Sequence, residues 1–438
     1  MVVVVEIGLH NRERRRALAR ADRHSGRSAA TARVFGGAGR RPADGSAEPL
    51  GKSQSYRPTP VDQPLKAVPA AVAAAREADR WRQLLGLRRL SSKPRVRKCK
   101  RPIGQSRVGL VAHAGGAHMT GLESCANVWV CPKCAPKIRA GRMRDVLTAF
   151  ERHAANGGGF AFLTLTLQHD GGERLRLLLD HLGAAWKFVA AQREYKEWRK
   201  RLGLVGSITA LEVTDGVNGW HPHRHVMLLF ERPLSRDEVS AFESVLDDLY
   251  GRHLEKQGRK RGGVDRETGR NVGARLDYVP EGDGAAEQLG RYITKLQAGF
   301  ELTRSDLKQS RTAKGRQTFE LLDDALAGDQ AAVDRWHEYE RAMTGKSAVR
   351  FSKGLRAHLD MDKAMTDEEL AAEEVGGDAG LYLSAPLYRR LFWDGQIAPM
   401  LGVFTASGDL GVMQLVAELY PGRYVAEDGH YPGALLLQ

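Results

Sequence analysis

Residues 218–230 read NGWHPHRHVMLLF and place His221, His223 and His225 at alternate positions ahead of an apolar run. Alternate residues of a strand share one face. On an extended chain His223 and His225 therefore stand about 7 Å apart on that face, a spacing that lets two imidazoles grip one metal ion. A strand at 206–214 precedes them across a turn at 215–219. With the loop centred on 217–218, Glu212 falls opposite His223 and adds a carboxylate to the same face. A His/His/carboxylate set with open positions suits Mn2+ or Mg2+ in phosphoryl transfer. The set depends on register, because a slip of one residue turns Glu212 to the other face. His221 shares the face, but Pro222 cannot donate to a sheet ladder, so this end reads as an edge or a strand start. His-x-His pairs also occur with no ligand. The neighbouring carboxylate and the run VMLLF favour a site here, since a buried strand excludes ionisable groups unless they are paired or metal-bound.

A second suggestive set lies in AAEQLGRYITKLQ (285–297). Helical periodicity puts Leu289, Ile293 and Leu296 on one buried face. Tyr292 is at the edge of that face, and Lys295, three residues on, is its neighbour on the helix surface. With Arg291 beside them, a phenolic oxygen could attack a phosphodiester, the cations stabilising phosphate and easing deprotonation. A tyrosine on an amphipathic helix also serves as ordinary packing. The four cysteines, Cys99, Cys125, Cys131 and Cys134, all fall in one short stretch. Cys131-Pro-Lys-Cys134 is a two-residue knuckle, and four thiolates would close a tetrahedral structural Zn2+ site; the alternative is four buried thiols in a small core. Trp129 should pack against it, and Lys100, Arg101, Lys133, Lys137 and Arg139 suggest contacts to the phosphates of duplex DNA.

These groups need elements to hold them. A chain of 438 residues, 42% hydrophobic and 27% charged, can build two or three domains with ample cores. Its 67 Lys and Arg against 53 acids, a net charge of +14, favour a polyanionic partner, nucleic acid or an anionic membrane surface; an arginine-rich soluble protein would also look this way. No apolar run approaches the roughly 20 residues of a membrane span, and MVVVVEIGLH lacks the basic start of a signal peptide. Few, clustered cysteines point to a metal site in a cytoplasmic protein. Helices are predicted at 71–90, 137–159, 173–203, 235–258 (capped by Ser235), 285–297 and within 315–345. Strands are predicted at 160–169, 206–214, 220–230 and in ARLDYVP, 274–280. Without strict βα alternation and with a hairpin at its centre, the pattern is α+β with an antiparallel sheet.

Taken together, the blocks resemble the HUH endonucleases and, within them, the rolling-circle replication initiators of small Gram-positive and actinobacterial plasmids. FLTLTLQH (162–169) is similar to motif I, a strand beside the metal site. GWHPHRHVMLLF (219–230) is similar to motif II, with His223 and His225 as ligands. GRYITK (290–295) is similar to motif III, with Tyr292 as nucleophile. CANVWVCPKCAPKI (125–138) and WHEYERAMTGKSAVRFSKGLR (336–356) resemble segments of the actinobacterial members, so the likeness spans about 95–360.

The resemblance implies an HUH-type central antiparallel sheet of five strands flanked by helices, with the histidine strand central, an N-terminal zinc-binding module built on the four cysteines and helical C-terminal segments. It implies metal-dependent nicking of one strand at a plasmid double-strand origin. Tyr292 would join the DNA 5′ end, and a later strand transfer would release it. Mn2+ or Mg2+ would sit at His223, His225 and Glu212 with His221 beside them, and structural Zn2+ at the cysteines. The partners would be origin DNA, its single-stranded nick site, and host helicase and polymerase, with no membrane.

Two features depart from the family pattern. The middle residue of the histidine pair is Arg224, which on an edge strand would face solvent or DNA phosphate. The acid that some members carry one turn before the tyrosine is Gln288 here, with Glu287 one residue earlier and turned well away at 100° per residue. Competing readings are a single-Tyr transposase or relaxase, although relaxases carry the tyrosine before the histidines, and a non-catalytic zinc-containing DNA-binding regulator. The chain divides into a disordered basic tail (1–75), a four-cysteine zinc-binding module with flanking helices (76–150), the catalytic domain (151–300), a helical extension (301–374) and a segment of unassigned role (375–438).

Overall fold

The computed structural model describes residues 70–438 apart from 105–106, 114–115, 217, 262–268, 270–271, 281–315, 374–378, 422–423, 427–434 and 438. Helices α1 (Ala70–Leu90) and α2 (Pro94–Lys98) precede a hairpin of β1 (Val108–His113) and β2 (Gly116–Thr120). Helix α3 (Cys134–Ala155) leads into β3 (Gly159–Leu165). Helices α4 (Leu175–Ala191) and α5 (Arg193–Arg201) lead into the long hairpin of β4 (Leu204–Gly216) and β5 (Gly219–Phe230), and α6 (Arg236–Lys256) leads into β6 (Ala274–Tyr278). Then come α7 (Thr318–Leu326), α8 (Gln330–Ala342), β7 (Val349–Phe351), α9 (Leu355–His358), α10 (Asp367–Ala372), β8 (Leu381–Leu383), α11 (Ala385–Trp393) and α12 (Ile397–Leu419).

The principal sheet has the order β6-β3-β5-β4-β7, and every neighbouring pair is antiparallel. The histidine strand β5 is therefore central, as the resemblance implies. Pro222 is tolerated because it lies where only β4 flanks β5. Pairing with β3 begins at Arg224–Leu165, whereas β4 continues to the turn at Gly216–Gly219.

Strand alternation divides the sheet into two packed faces. On the histidine face, Phe160, Phe162, Ile208, Ala210, Met227 and Leu229 meet Met143, Val146, Ala149 and Phe150 of α3. On the other face, Leu163, Val226, Leu228 and Phe230 pack with apolar residues of α4 and α6. Ser235 caps α6 through a reciprocal box with Glu238, as its position predicts. The single helix expected over 173–203 is instead two. Gln192 is extended (φ −68°, ψ 147°), and the break lets Tyr195 and Trp198 stack on Phe242 of α6.

The front of the chain is completed by its end. Strand β8 extends the β1–β2 hairpin into a three-stranded sheet of order β2-β1-β8. Tyr388 Oη on α11 donates to the Lys100 carbonyl at 2.6 Å, and Arg88 lies 3.7 Å over the Phe392 ring. Helix α12 is the one described helix long and apolar enough to cross a membrane. Its Ile397, Met400, Leu401, Phe404, Val412 and Val416 are buried in the core, and Gly408 (φ 64°, ψ −152°) interrupts it midway.

Candidate functional site

The hairpin register sets Glu212 opposite His223, Ala210 opposite His225 and Thr214 opposite His221. Glu212 makes its closest contact diagonally, with Oε2 3.1 Å from His225 Nε2. Thr164, opposite His225 on β3, brings Oγ1 to 3.3 Å from His225 Nδ1. The His223 ring lies parallel to that of His225 with centroids 6.0 Å apart and edge-on to His221 at 4.2 Å. His221 Nδ1 is 2.8 Å from Nε2 of His169. Five side chains thus form a row: Glu212, His225, His223, His221, His169. Their donor atoms are strung along the face and do not converge on one point. Among the described residues, the cysteines are the only group of three or more ligand atoms all within 4.8 Å of one another.

Burial raises the Glu212 carboxyl, but the hydrogen bond and charge of His225, with His223 and His221 behind it, outweigh this and hold it below its ordinary value. Burial, and then the adjacent His221, pushes His223 down to about 4. Burial and His169 also lower His221. At neutral pH the row offers a carboxylate and uncharged rings at His221 and His223, the protonation state that binding a cation requires.

His169 was not among the candidate residues. It follows β3 in the loop that ends FLTLTLQH, and its place as the last polar residue of that block is the one signal that could have found it. Beyond the His169–His221 pair the row opens on a cavity of about 840 Å³, lined by Thr166, Glu173, His181 and Arg259 among others. Arg224 departs from expectation. Its strand is central, so its side chain turns to the helix-covered face beside Gly183 and Tyr250. Burial lowers its pKa, and its Nε is buried without a hydrogen-bond partner among the described residues. Tyr292, Lys295, Glu287 and Arg291 lie outside the described residues.

The four cysteines converge. Cys99 Sγ is 3.5 Å from Cys131 and 3.6 Å from Cys134, and Cys125 is 3.8 Å from Cys134. Four thiolates about 2.3 Å from a tetrahedral Zn2+ stand roughly 3.8 Å apart, so the cluster could hold a metal such as zinc. The knuckle has the matching backbone: Cys134 N donates to Cys131 Sγ at 3.4 Å, and Lys100 and Ala126, each following a cysteine, are left-handed (φ 57° and 53°). Trp129 is buried in the same core and donates Nε1 to the Lys346 carbonyl at 2.7 Å.

Most of the cations expected to meet phosphate here are used internally. Lys133 pairs with Glu77 under the Trp81 ring, and Lys100 is buried with Nζ on Ser124. Arg139 is buried beside Trp129, and Lys137 donates to the Glu373 carbonyl. Arg101 stays exposed. For Lys133 and Lys137 the partners come from other elements, Glu77 of α1 and Glu373 at the end of α10.

Residues 119–238, from β2 through Cys125, Cys131 and Cys134 and the histidine row to the start of α6, match the family model described as "Replication protein". "Protein rep" of Streptomyces lividans is 31% identical, over 60% of this chain and 71% of that protein. "Neomycin resistance protein" of Streptomyces cyanogenus is 31% identical over 26% of this chain and 32% of its own. "Protein rep" of Lentilactobacillus hilgardii is 23% identical over 46% and 60%. No solved structure matches the chain.

Proposed function

The chain belongs to the Rep family of plasmid replication proteins, and from that premise we propose that it initiates rolling-circle replication by nicking one strand of the plasmid origin through Tyr292. The observation that carries this reading is the Glu212–His225 contact at 3.1 Å on the central strand, with His223 and His221 on the same face.

Glu212, His223 and His225 are the residues that would hold Mn2+ or Mg2+, their donor atoms, strung along the face here, turning toward the ion, which when bound would polarise the scissile phosphate. The low-lying carboxyl and neutral ring are ready for a cation without first losing protons. Thr164 steadies the His225 ring so that its Nε2 faces Glu212. The Tyr292 phenolic oxygen attacks phosphorus, the bond from phosphorus to the 3′ oxygen breaks, and the 5′ phosphate stays on the tyrosine while a free 3′-OH is left to prime synthesis. Lys295 and Arg291 stabilise the phosphate charge, and Lys295 eases loss of the phenolic proton. Glu287 would serve the later hydrolytic step only if the start of its helix departs from regular 100° steps, since on a regular helix it points away from Tyr292. The cysteines would hold Zn2+ and, with it, fix the front module.

The test is incubation of the purified chain with supercoiled plasmid carrying the candidate origin, with and without Mn2+. A metal-dependent adduct between a DNA 5′ end and Tyr292 supports the reading. Specific binding without nick or adduct under Mn2+ and Mg2+ sinks it and leaves a non-catalytic DNA-binding regulator.

A further inference from the structure

The histidine row has two ends, and the proposed catalytic centre uses one. At the other, His169 Nε2 and His221 Nδ1 stand 2.8 Å apart. A divalent ion bound about 2.0–2.1 Å from each nitrogen holds the two roughly 2.8–3.4 Å apart, from right-angled to tetrahedral geometry. The separation observed is that of a right-angled pair.

The loop carrying His169 is firmly built. Tyr250 Oη donates to the Thr166 carbonyl at 2.8 Å, Arg259 joins Glu173 at 2.5 Å and reaches the Gln168 carbonyl at 3.3 Å, and Asp170 N donates to Glu173 at 2.9 Å. His169 Nδ1 is buried with no hydrogen-bond partner among the described residues, so this loop, not a second bond, aims the ring. The pair lines the 840 Å³ cavity, which leaves room for further ligands.

The two ends differ in donor chemistry. Glu212 with His225 mixes oxygen and nitrogen, whereas His169 with His221 is nitrogen alone. Imidazole suits borderline transition ions, and carboxylate suits Mn2+ and Mg2+. The geometry points to a second divalent-cation site, held by His169 and His221 at the cavity mouth, which takes a borderline ion that accepts right-angled ligands, such as Co2+ or Ni2+, and leaves its other positions to water or to a phosphate oxygen of the bound strand. This rests on the reading that Glu212, His223 and His225 serve the first ion.

The test is a Co2+ titration of the full chain with its cysteines zinc-loaded, followed by calorimetry and visible absorption; a thiolate charge-transfer band would report any cobalt entering the cysteine site. Two ions per chain are expected outside the thiolates. His169→Ala should keep one and weaken the other by at least about 10- to 100-fold. His169→Gln keeps a polar group toward His221 and should melt with the wild type yet show the same cobalt loss, which separates ligation from folding. Glu212→Gln should weaken the opposite ion. A single ion in the wild type, or His169 variants that titrate like it, overturns the second site. Nicking is read separately under Mn2+: a wild type that binds two cobalt ions and never nicks fails the catalytic reading and keeps this one.

Discussion

Protonation decides what the row can do at the scale of single side chains. His223 is lowered from an ordinary 6.5 to about 4 by burial and by His221. The fold therefore favours the neutral ring. That contribution to stability is complete above about pH 6.5 and is lost as pH falls toward 4, because the unfolded chain takes up the proton first. The urea midpoint without added Mn2+ should drop across this window, and His223→Ala should flatten the drop. The covalent step proposed above is a separate matter, since Tyr292 lies outside the described residues. Tyr292→Phe should cut adduct formation by several orders of magnitude while leaving origin binding, measured by gel shift, within a few-fold of wild type.

Two contacts at the hairpin tip set the site at the scale of elements. Gly219 has φ +85°, and a Cβ there would fall 2.6 Å from the Gly171 carbonyl oxygen. Gly219→Ala should cost about 1–2 kcal/mol in denaturant unfolding and displace the loop that carries His169, visible as shifted His169 and His221 ring resonances. At the other side of the tip, buried Asp215 accepts from both Arg316 and Arg335, and Arg335 also lies 4.2 Å over the Trp220 ring. Asp215→Asn should cost about 3 kcal/mol, because removing one member of such a cluster strands the others; chemical denaturation would measure it.

The cysteine cluster and the histidine-bearing sheet form one mechanical unit across the whole molecule. Cys134 is the first residue of α3, and the same helix supplies Met143, Val146 and Phe150 to the histidine face. The front module is in turn closed by β8 and α11 from the far end of the chain. Stripping metal from the cysteines, or Cys131→Ser, should lower the melting temperature by on the order of 10 °C and depress nicking along with it, although no cysteine reaches the histidines. A melting curve unchanged by chelator would show that the thiols hold no metal.

What the sequence by itself determined is local. The turn at 215–219 counts residues between two strands, so Glu212 opposite His223 was legible from spacing, as were the Ser235 cap and the cysteine knuckle. What only the tertiary structure decided is long-range. His169 meets His221 across 52 positions, Lys133 is neutralised by Glu77 across 56, and Arg224 is covered because its strand is central. The break at Gln192 was likewise invisible, since the helical period runs through it and packing on Phe242 overrides it. The physical reason is reach: turn and helix rules act over a few residues, whereas which face of a strand is covered, and by what, depends on how distant segments bury apolar surface together.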